Sequence, residues 1–198
     1  QTHVEGAFNL AEGLGSHAEG TSTVSFGINS HAEGFITRAI GGYSHAESFD
    51  THAIGDNSHA EGASTTTGII FQEAEFNDSV ANVITINGVD VTSKFDASNT
   101  LVIIQGTGGL LPKYIFKEDI VSIVFDSTNT VITLQNQEAL VDDIKKVIAN
   151  VTGIGDNAHA EGFETVASGA SSHSQNLGTK AVADNSTAMG KYNTGDAD

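Results

Sequence analysis

The sequence predicts an all-β solenoid of 14-residue coils into which a small α+β domain is inserted. Three observations carry that expectation. A pentapeptide recurs in register, a second small-residue element recurs half a period away, and one central stretch loses the period while its apolar content rises.

The pentapeptide Ser-His-Ala-Glu-Gly occupies residues 16–20, 30–34 and 58–62, with close variants at 2–6, 44–48 and 158–162. Its histidines His3, His17, His31, His45 and His59 each lie 14 residues apart; His159 and His173 resume the step after a gap, and Thr187 then takes the same place. Repetition at a fixed period is the mark of architectures in which each unit stacks on its neighbours. The second element, Thr-x-Ala-x-Gly, stands at 37–41 and 51–55, with 23–27 and 165–169 close to it.

Both elements alternate small residues with larger ones, and a period of two means a strand. Asp56-Asn57, Gly42-Tyr43, Asp156-Asn157 and Asp184-Asn185 are turn formers beside the repeated glycines. Two short strands and two turns make one coil, and successive coils are expected to pair in parallel about 4.8 Å apart. The lumen side offers only Ser, Thr, Ala and Gly. So thin a roll buries little apolar area, which predicts oligomerisation or lateral packing. The threonine column (Thr23, Thr37, Thr51, Thr65, Thr165, Thr179) shares the parity of the lumen residues, so it is read as lumen packing rather than as a flat ice-binding face.

Residues 70–150 read as the inserted domain, between roll segments at 1–69 and 151–198. Val83–Ile86, Asn87-Gly88 and residues 89–91 suggest a hairpin, because Asn-Gly favours a type I′ turn. Residues 101–104 and 114–116 read as strands around the glycine-rich 106–109 stretch, and Ile120–Phe125 with Thr130–Leu134 as a second hairpin. Asn136 is a candidate N-cap for a helix over about 137–149, with Leu140, Ile144, Val147 and Ile148 on one face. The functional expectation for this domain is a recognition surface carried by a rigid solenoid; the plainer one is that it only caps or widens the assembly.

Composition narrows the function classes. With 25 acidic against 8 basic residues the net charge is −17, which argues against nucleic acid as a partner. There is no cysteine, so no disulfide framework or cysteine zinc site exists. No apolar run reaches the ~18 residues of a membrane helix, so no membrane insertion is expected. Residues 1–6 begin inside a repeat and carry no signal peptide, which reads as a fragment or processed product.

The Ser-His-Ala-Glu-Gly repeats at 14-residue spacing resemble the heads of trimeric autotransporter adhesins, whose repeats read Ser-x-Ala-x-Gly. In this histidine form they are similar to repeats in tail proteins of phages of Gram-positive bacteria. The resemblance covers roughly residues 1–69 and 151–198. It implies a left-handed parallel β-roll, a homotrimer, and a binding function on a virion tail or an extracellular surface. The expected partner is a host cell-surface glycan or protein. The chain departs from the bacterial adhesins in lacking a coiled-coil stalk and membrane anchor, which favours the phage or the fragment reading.

Within each motif the histidine and glutamate lie two residues apart and so share a strand face. Stacking predicts a histidine column (His3, His17, His31, His45, His59, His159, His173) beside a glutamate column (Glu5, Glu19, Glu33, Glu47, Glu61, Glu161). A bare glutamate column repels itself, and the imidazoles can compensate through hydrogen bonds or charge. The outward positions of the other strand vary (Leu10, Val24, Arg38, His52, Thr66, Val166, Lys180) and are expected to face solvent. The uniform columns are expected at the trimer interface, bonded between chains. Ion binding and solvated polar ladders are the competing readings, and no catalytic metal spacing such as His-Glu-x-x-His is present. No metal, cofactor or catalytic residue is assigned. No nucleophile elbow or phosphate loop occurs, and Asp119, Asp126, Asp142 and Asp143 read as solvated rather than as a glycosidase pair, so the chain is not expected to be an enzyme.

Overall fold

The computed structural model describes residues 1–68, 70–72, 74–76, 82–88, 90, 92, 102–106, 113–115, 119–135, 144–149 and 155–195, of which 70–72, 74–76, 102–106, 113–115 and 144–149 are described by backbone alone. Contacts divide the chain into two compact units, Gln1–Ile69 with Thr152–Asp198, and Ile70–Val151.

The first unit is a β-solenoid. Each coil contributes a five-residue strand beginning at the histidine position (His3–Ala7, His17–Thr21 and onward to Thr187–Lys191) and a two-residue strand beginning one residue after the threonine position, which Asn9 and Asn193 fill in the first and last coils (Leu10–Ala11, Val24–Ser25 and onward to Thr194–Gly195). Each set forms its own 8-stranded parallel sheet. The register is strict: His17 pairs with His31, Ala18 with Ala32, Glu19 with Glu33. It holds across the break, where His59 pairs with His159 and Glu61 with Glu161 although 100 residues separate them. The chain leaves the fifth coil after Gly68 and re-enters it at Gly155, whose Cβ, if it had one, would stand 2.4 Å from the Gly68 nitrogen.

The lumen is lined as the alternation requires. Ala18, Ala32, Ala46, Ala60, Ala160 and Ser174 point in from the long strands, and Ser25, Ala39, Ala53, Thr67, Ala167 and Ala181 from the short ones. The threonine column is buried there too. An alanine methyl contributes only about 0.8 kcal/mol on burial, so backbone hydrogen bonds carry much of the roll. The corner residues show how they are kept. Three positions recur with positive φ from coil to coil, for instance Gly34 (+110°), Ile36 (60°) and Tyr43 (58°), and the interrupted fifth coil adds Gly68 and Gly155. A β-branched residue at Ile36 is strained there, yet its N–H still reaches the Thr21 carbonyl of the preceding coil at 3.0 Å. Lumen hydroxyls close the same corners: Ser44 Oγ donates to the Gly41 carbonyl (2.7 Å) and Thr51 Oγ1 to that of Glu47 (3.0 Å). Asp56 accepts from the Gly42 N–H at 2.8 Å, Asp156 from that of Asp56 at 3.0 Å, and Asp184 from that of Ala170 at 2.9 Å, each from one coil back.

The second unit holds two 4-stranded antiparallel sheets. In one, Ala74–Phe76, Val83–Ile86, Thr130–Leu134 and Ile120–Phe125 lie side by side in that order. Ile84, Ile86, Ile132 and Leu134 are its buried apolar members among the described residues, with Ile84 directly opposite Ile132. The hairpin between Ile120–Phe125 and Thr130–Leu134 forms as expected, its turn held by Asp126 Oδ1, which accepts from the N–H groups of Thr128 and Asn129 at 2.9 and 2.7 Å. The other sheet orders Ile70–Gln72, Ile144–Ala149, Val102–Gly106 and Lys113–Ile115.

Three expectations are corrected. Residues 144–149 are a strand, not the end of a helix: Ile144–Ala149 pairs antiparallel with both Ile70–Gln72 and Val102–Gly106. Partners on both edges outweigh a helical face in a segment rich in β-branched residues. Residues 136–143 lie outside the described residues, and among the described residues there is no α-helix, so the second unit is β rather than α+β there. Val83–Ile86 has both its edges taken by Ala74–Phe76 and Thr130–Leu134 rather than by a hairpin partner that follows it, and residues 89 and 91 lie outside the described residues. Gly88 has φ +71°, but Asn87 is not among the positive-φ residues that a type I′ turn needs, and the Gly88 N–H goes to Asn129 Oδ1 (2.9 Å). Finally, Val24, Arg38, His52 and Thr66 are buried, not solvated. Variation along a column shows that neighbours can differ, not that they are wet.

Candidate functional site

The parallel ladder fixes the geometry of the histidine and glutamate columns. In-register coils place equivalent side chains one strand spacing apart. Successive imidazole centroids from His3 to His159 lie 4.6, 4.7, 4.8, 5.0 and 5.0 Å apart, each pair stacked within 10° of parallel. The last step, His159 to His173, keeps the 5.0 Å spacing but tilts by 57°. All seven rings therefore form one file, with Glu5, Glu19, Glu33, Glu47, Glu61 and Glu161 in a second file beside it. Beyond Glu161 the acidic file ends chemically, since Gln175 and then Met189 take its place.

The pairing changes hand along the file. His3 and His17 face the glutamate of their own coil, at 3.1 and 3.7 Å. From His45 onward each imidazole faces the glutamate of the coil before: Glu33 to His45 at 3.6 Å, Glu47 to His59 at 3.2 Å, Glu61 to His159 at 3.5 Å and Glu161 to His173 at 3.8 Å. From His17 onward these side chains are about one-third exposed, whereas His3 and Glu5 are 61% and 59% exposed; the Nε2 atoms of His17, His31, His45, His159 and His173 are themselves buried and have no hydrogen-bond partner. The 3.2 Å contact between His59 and Glu47 is a hydrogen bond. Burial, followed by repulsion from His59 and His31, holds the His45 pKa below the ordinary histidine value against the pull of Glu47 and Glu33. For Glu47, burial pulls the pKa upward, but the hydrogen bond from His59 and the charges of His45 and His59 leave it lowered.

On the same strands, the fifth residue forms an exposed column. Phe35 and Phe49 stack at 5.7 Å, Ala63 follows, and Phe163 is exposed one coil further on. Beside the end of the glutamate file lies an open hollow of about 400 Å³ lined by Ser48, Glu61, Glu161, Gln175 and Asn176.

Sequence reasoning missed a second polar cluster, on the short strands. Arg38 (2% exposed) and His52 (1%) are register partners, and Arg38 Nη1 lies 2.8 Å from His52 Nε2. A guanidinium can only donate, so that ring nitrogen accepts and His52 is neutral. Asp50 Oδ1 stands 3.9 Å from Arg38 Nη1 and 3.7 Å from His52 Nε2. The available signal was a basic residue at the same coil position in two consecutive coils, with an aspartate two residues before the second.

No protein-family model, no curated protein and no solved structure matches this chain.

Proposed function

We propose that this chain is the homotrimeric, host-binding head of a phage tail fibre or tail-like particle. In this reading the roll supplies a rigid interface, and Ile70–Val151 supplies the surface that meets a host glycan or protein. One observation carries the assembly. The long-strand face presents one-third-exposed His/Glu files and the exposed rings of Phe35, Phe49 and Phe163, over a core of small side chains. A contiguous apolar column rimmed by polar files is what a protein contact uses. The threefold count and the attachment role rest on the resemblance of the repeats.

A spacer that holds a receptor-binding tip elsewhere is the second reading. It is favoured by the unbroken pairing of the fifth and sixth coils across the excursion between them.

One deletion separates the two. Joining Gly68 directly to Gly155 restores a 14-residue coil, because 59–68 and 155–158 together supply its residues. Light scattering on the intact chain should give a trimer mass, and the deletion should keep it while losing attachment to host cells. A monomeric intact chain would remove the assembly; attachment retained by the deletion would return recognition to the roll.

A further inference from the structure

The two glutamates on either side of the break in the solenoid lie near one imidazole, His159: Glu61 stands 3.5 Å from it, while the nearer histidine partner of Glu161 is His173 at 3.8 Å. Glu61, His159 and Glu161 bring one donor atom each within 4.8 Å of one another. His159 Nε2 is 3.5 Å from Glu61 Oε1, yet it is buried and makes no hydrogen bond. Among the described residues, the ion pairs made by the glutamate file are all with histidine. Two carboxyl groups and one imidazole nitrogen therefore lie together, with no lysine or arginine ion pair among the described residues.

We infer that Glu61, His159 and Glu161 form a binding site for a divalent transition-metal ion of the zinc, cobalt or nickel class. Metal–nitrogen and metal–oxygen bonds of about 2.0–2.2 Å hold neighbouring donors roughly 3–3.5 Å apart, and the Glu61–His159 separation already has that span. One imidazole with two carboxylates is a mixed donor set that suits zinc, cobalt and nickel better than calcium or magnesium. The hollow lined by Glu61, Glu161, Gln175 and Asn176 gives water room to complete the shell. Two other groups, His17–Glu19–His31 and His45–Glu47–His59, also gather donors. They fit less well because each relies on two parallel imidazoles, 4.7 and 5.0 Å apart. A single ion about 2.1 Å from each nitrogen cannot span that stack unless a ring turns. At Glu61–His159–Glu161 the donor set needs only one ring of the file, and the Glu161 carboxylate, now 3.8 Å from His173, has only to turn toward His159.

The site has a structural consequence. Coils five and six are neighbours in space, but the chain between His59 and His159 runs through 100 residues. An ion held by Glu61 on one coil and by His159 and Glu161 on the next would staple the solenoid where its covalent continuity is interrupted. Binding to the folded state alone raises stability with free ion concentration. All three donors come from one chain, so binding is expected whatever the oligomeric state, although the same files belong to the face proposed for chain contact.

The test uses the full chain without a polyhistidine tag, stripped with chelator, then titrated with Co²⁺ and Zn²⁺ at pH 7.5 by calorimetry. Saturable binding is expected, together with a visible Co²⁺ spectrum of mixed nitrogen and oxygen ligation, a raised Tm, and no competition from millimolar Ca²⁺. E61Q/E161Q and, separately, H159Q should weaken binding at least tenfold, with far-UV circular dichroism confirming the fold, whereas E5Q should not. Absence of saturable binding by the unaltered chain overturns the inference. So does undiminished affinity in either folded variant.

Discussion

The two units of this chain reach β structure by opposite means. The roll pairs its strands in parallel and lines its lumen with Ala, Ser and Thr, so each side chain occupies the same setting as its equivalents in the coils above and below. The Ile70–Val151 unit pairs its strands antiparallel and buries Ile84, Ile86, Ile132 and Leu134. In the first, backbone spacing dictates which side chains fit. In the second, side-chain bulk holds the sheet together. Space should therefore be the scarce quantity in the roll, and volume the scarce quantity in the other unit.

Glycine substitutions test that contrast most severely. A Cβ on Gly41 would lie 2.0 Å from the Gly55 carbonyl oxygen in the next coil, an atom fixed by the ladder. Gly41→Val is expected to cost about 4 kcal/mol or more and to collapse hydrogen-exchange protection in the flanking coils. A methyl group on Gly88 would meet nothing within 4 Å, so only the φ of +71° opposes a side chain there. Gly88→Ala should cost about 1–2 kcal/mol, the ordinary left-handed penalty. Equal losses at the two sites would erase the distinction.

Core substitutions come next and should act in opposite directions of size. Ile132→Ala removes a fully buried side chain opposite Ile84 and should cost about 2–5 kcal/mol. Ala46→Leu adds bulk to a lumen position with no exposure and should cost about 1–3 kcal/mol or more. Denaturant melts of each variant read both values, and a roll that accepts leucine at Ala46 without loss would show that its lumen is not filled.

The same contrast explains which features are legible in the sequence. In a parallel in-register stack, position in the sequence period equals position in space, so the coil, the lumen residues and the two polar files are all visible in the repeat. An antiparallel sheet has no such identity. Asn87-Gly88 carries a local turn preference that loses to the two strands flanking Val83–Ile86. Ile144–Ala149 satisfies a helical face by spacing, but its backbone partners on both sides are distant in sequence. The Arg38–His52–Asp50 cluster escapes for a related reason, since it breaks the regularity that makes the rest legible.

Acidification should also separate the units. All eight histidines lie in the roll and none in residues 70–151. The pKa of His45 is lowered on folding, so the unfolded chain binds its proton first. The stability tied to that site is whole above the ordinary histidine value near 6.5 and is lost as pH falls below it. Glu47, also lowered, adds a loss at lower pH still. In the other unit, Asp90 and Asp126 are held below the usual carboxylate range by hydrogen bonds from Thr92 and from Asn129 and Thr128, so they stay charged across that window. Hydrogen exchange followed from pH 7.5 to 5.5, corrected for intrinsic rate, should show opening of the coils around His45 and a flat profile in Ile120–Phe125 and Thr130–Leu134. A roll equally protected at both pH values would remove the histidine file as a source of pH sensitivity.

The smallest expected effect lies in the lumen serines. Ser44 Oγ is buried and donates to the Gly41 carbonyl at 2.7 Å, and such a bond is worth about 0.5–1.5 kcal/mol net. The roll itself contains the experiment's control, since Ala158 fills the equivalent corner of the fifth coil, is also buried, and still donates its N–H to the Gly155 carbonyl at 3.1 Å. The backbone turn therefore forms without the hydroxyl, and the carbonyl it would have served keeps a partner. Ser44→Ala should fall at the low end of that range, with Tm shifted by no more than a few degrees. A loss as large as that of Ala46→Leu would mean that the hydroxyl sets the corner and that alanine survives at position 158 only because the coil there is already interrupted.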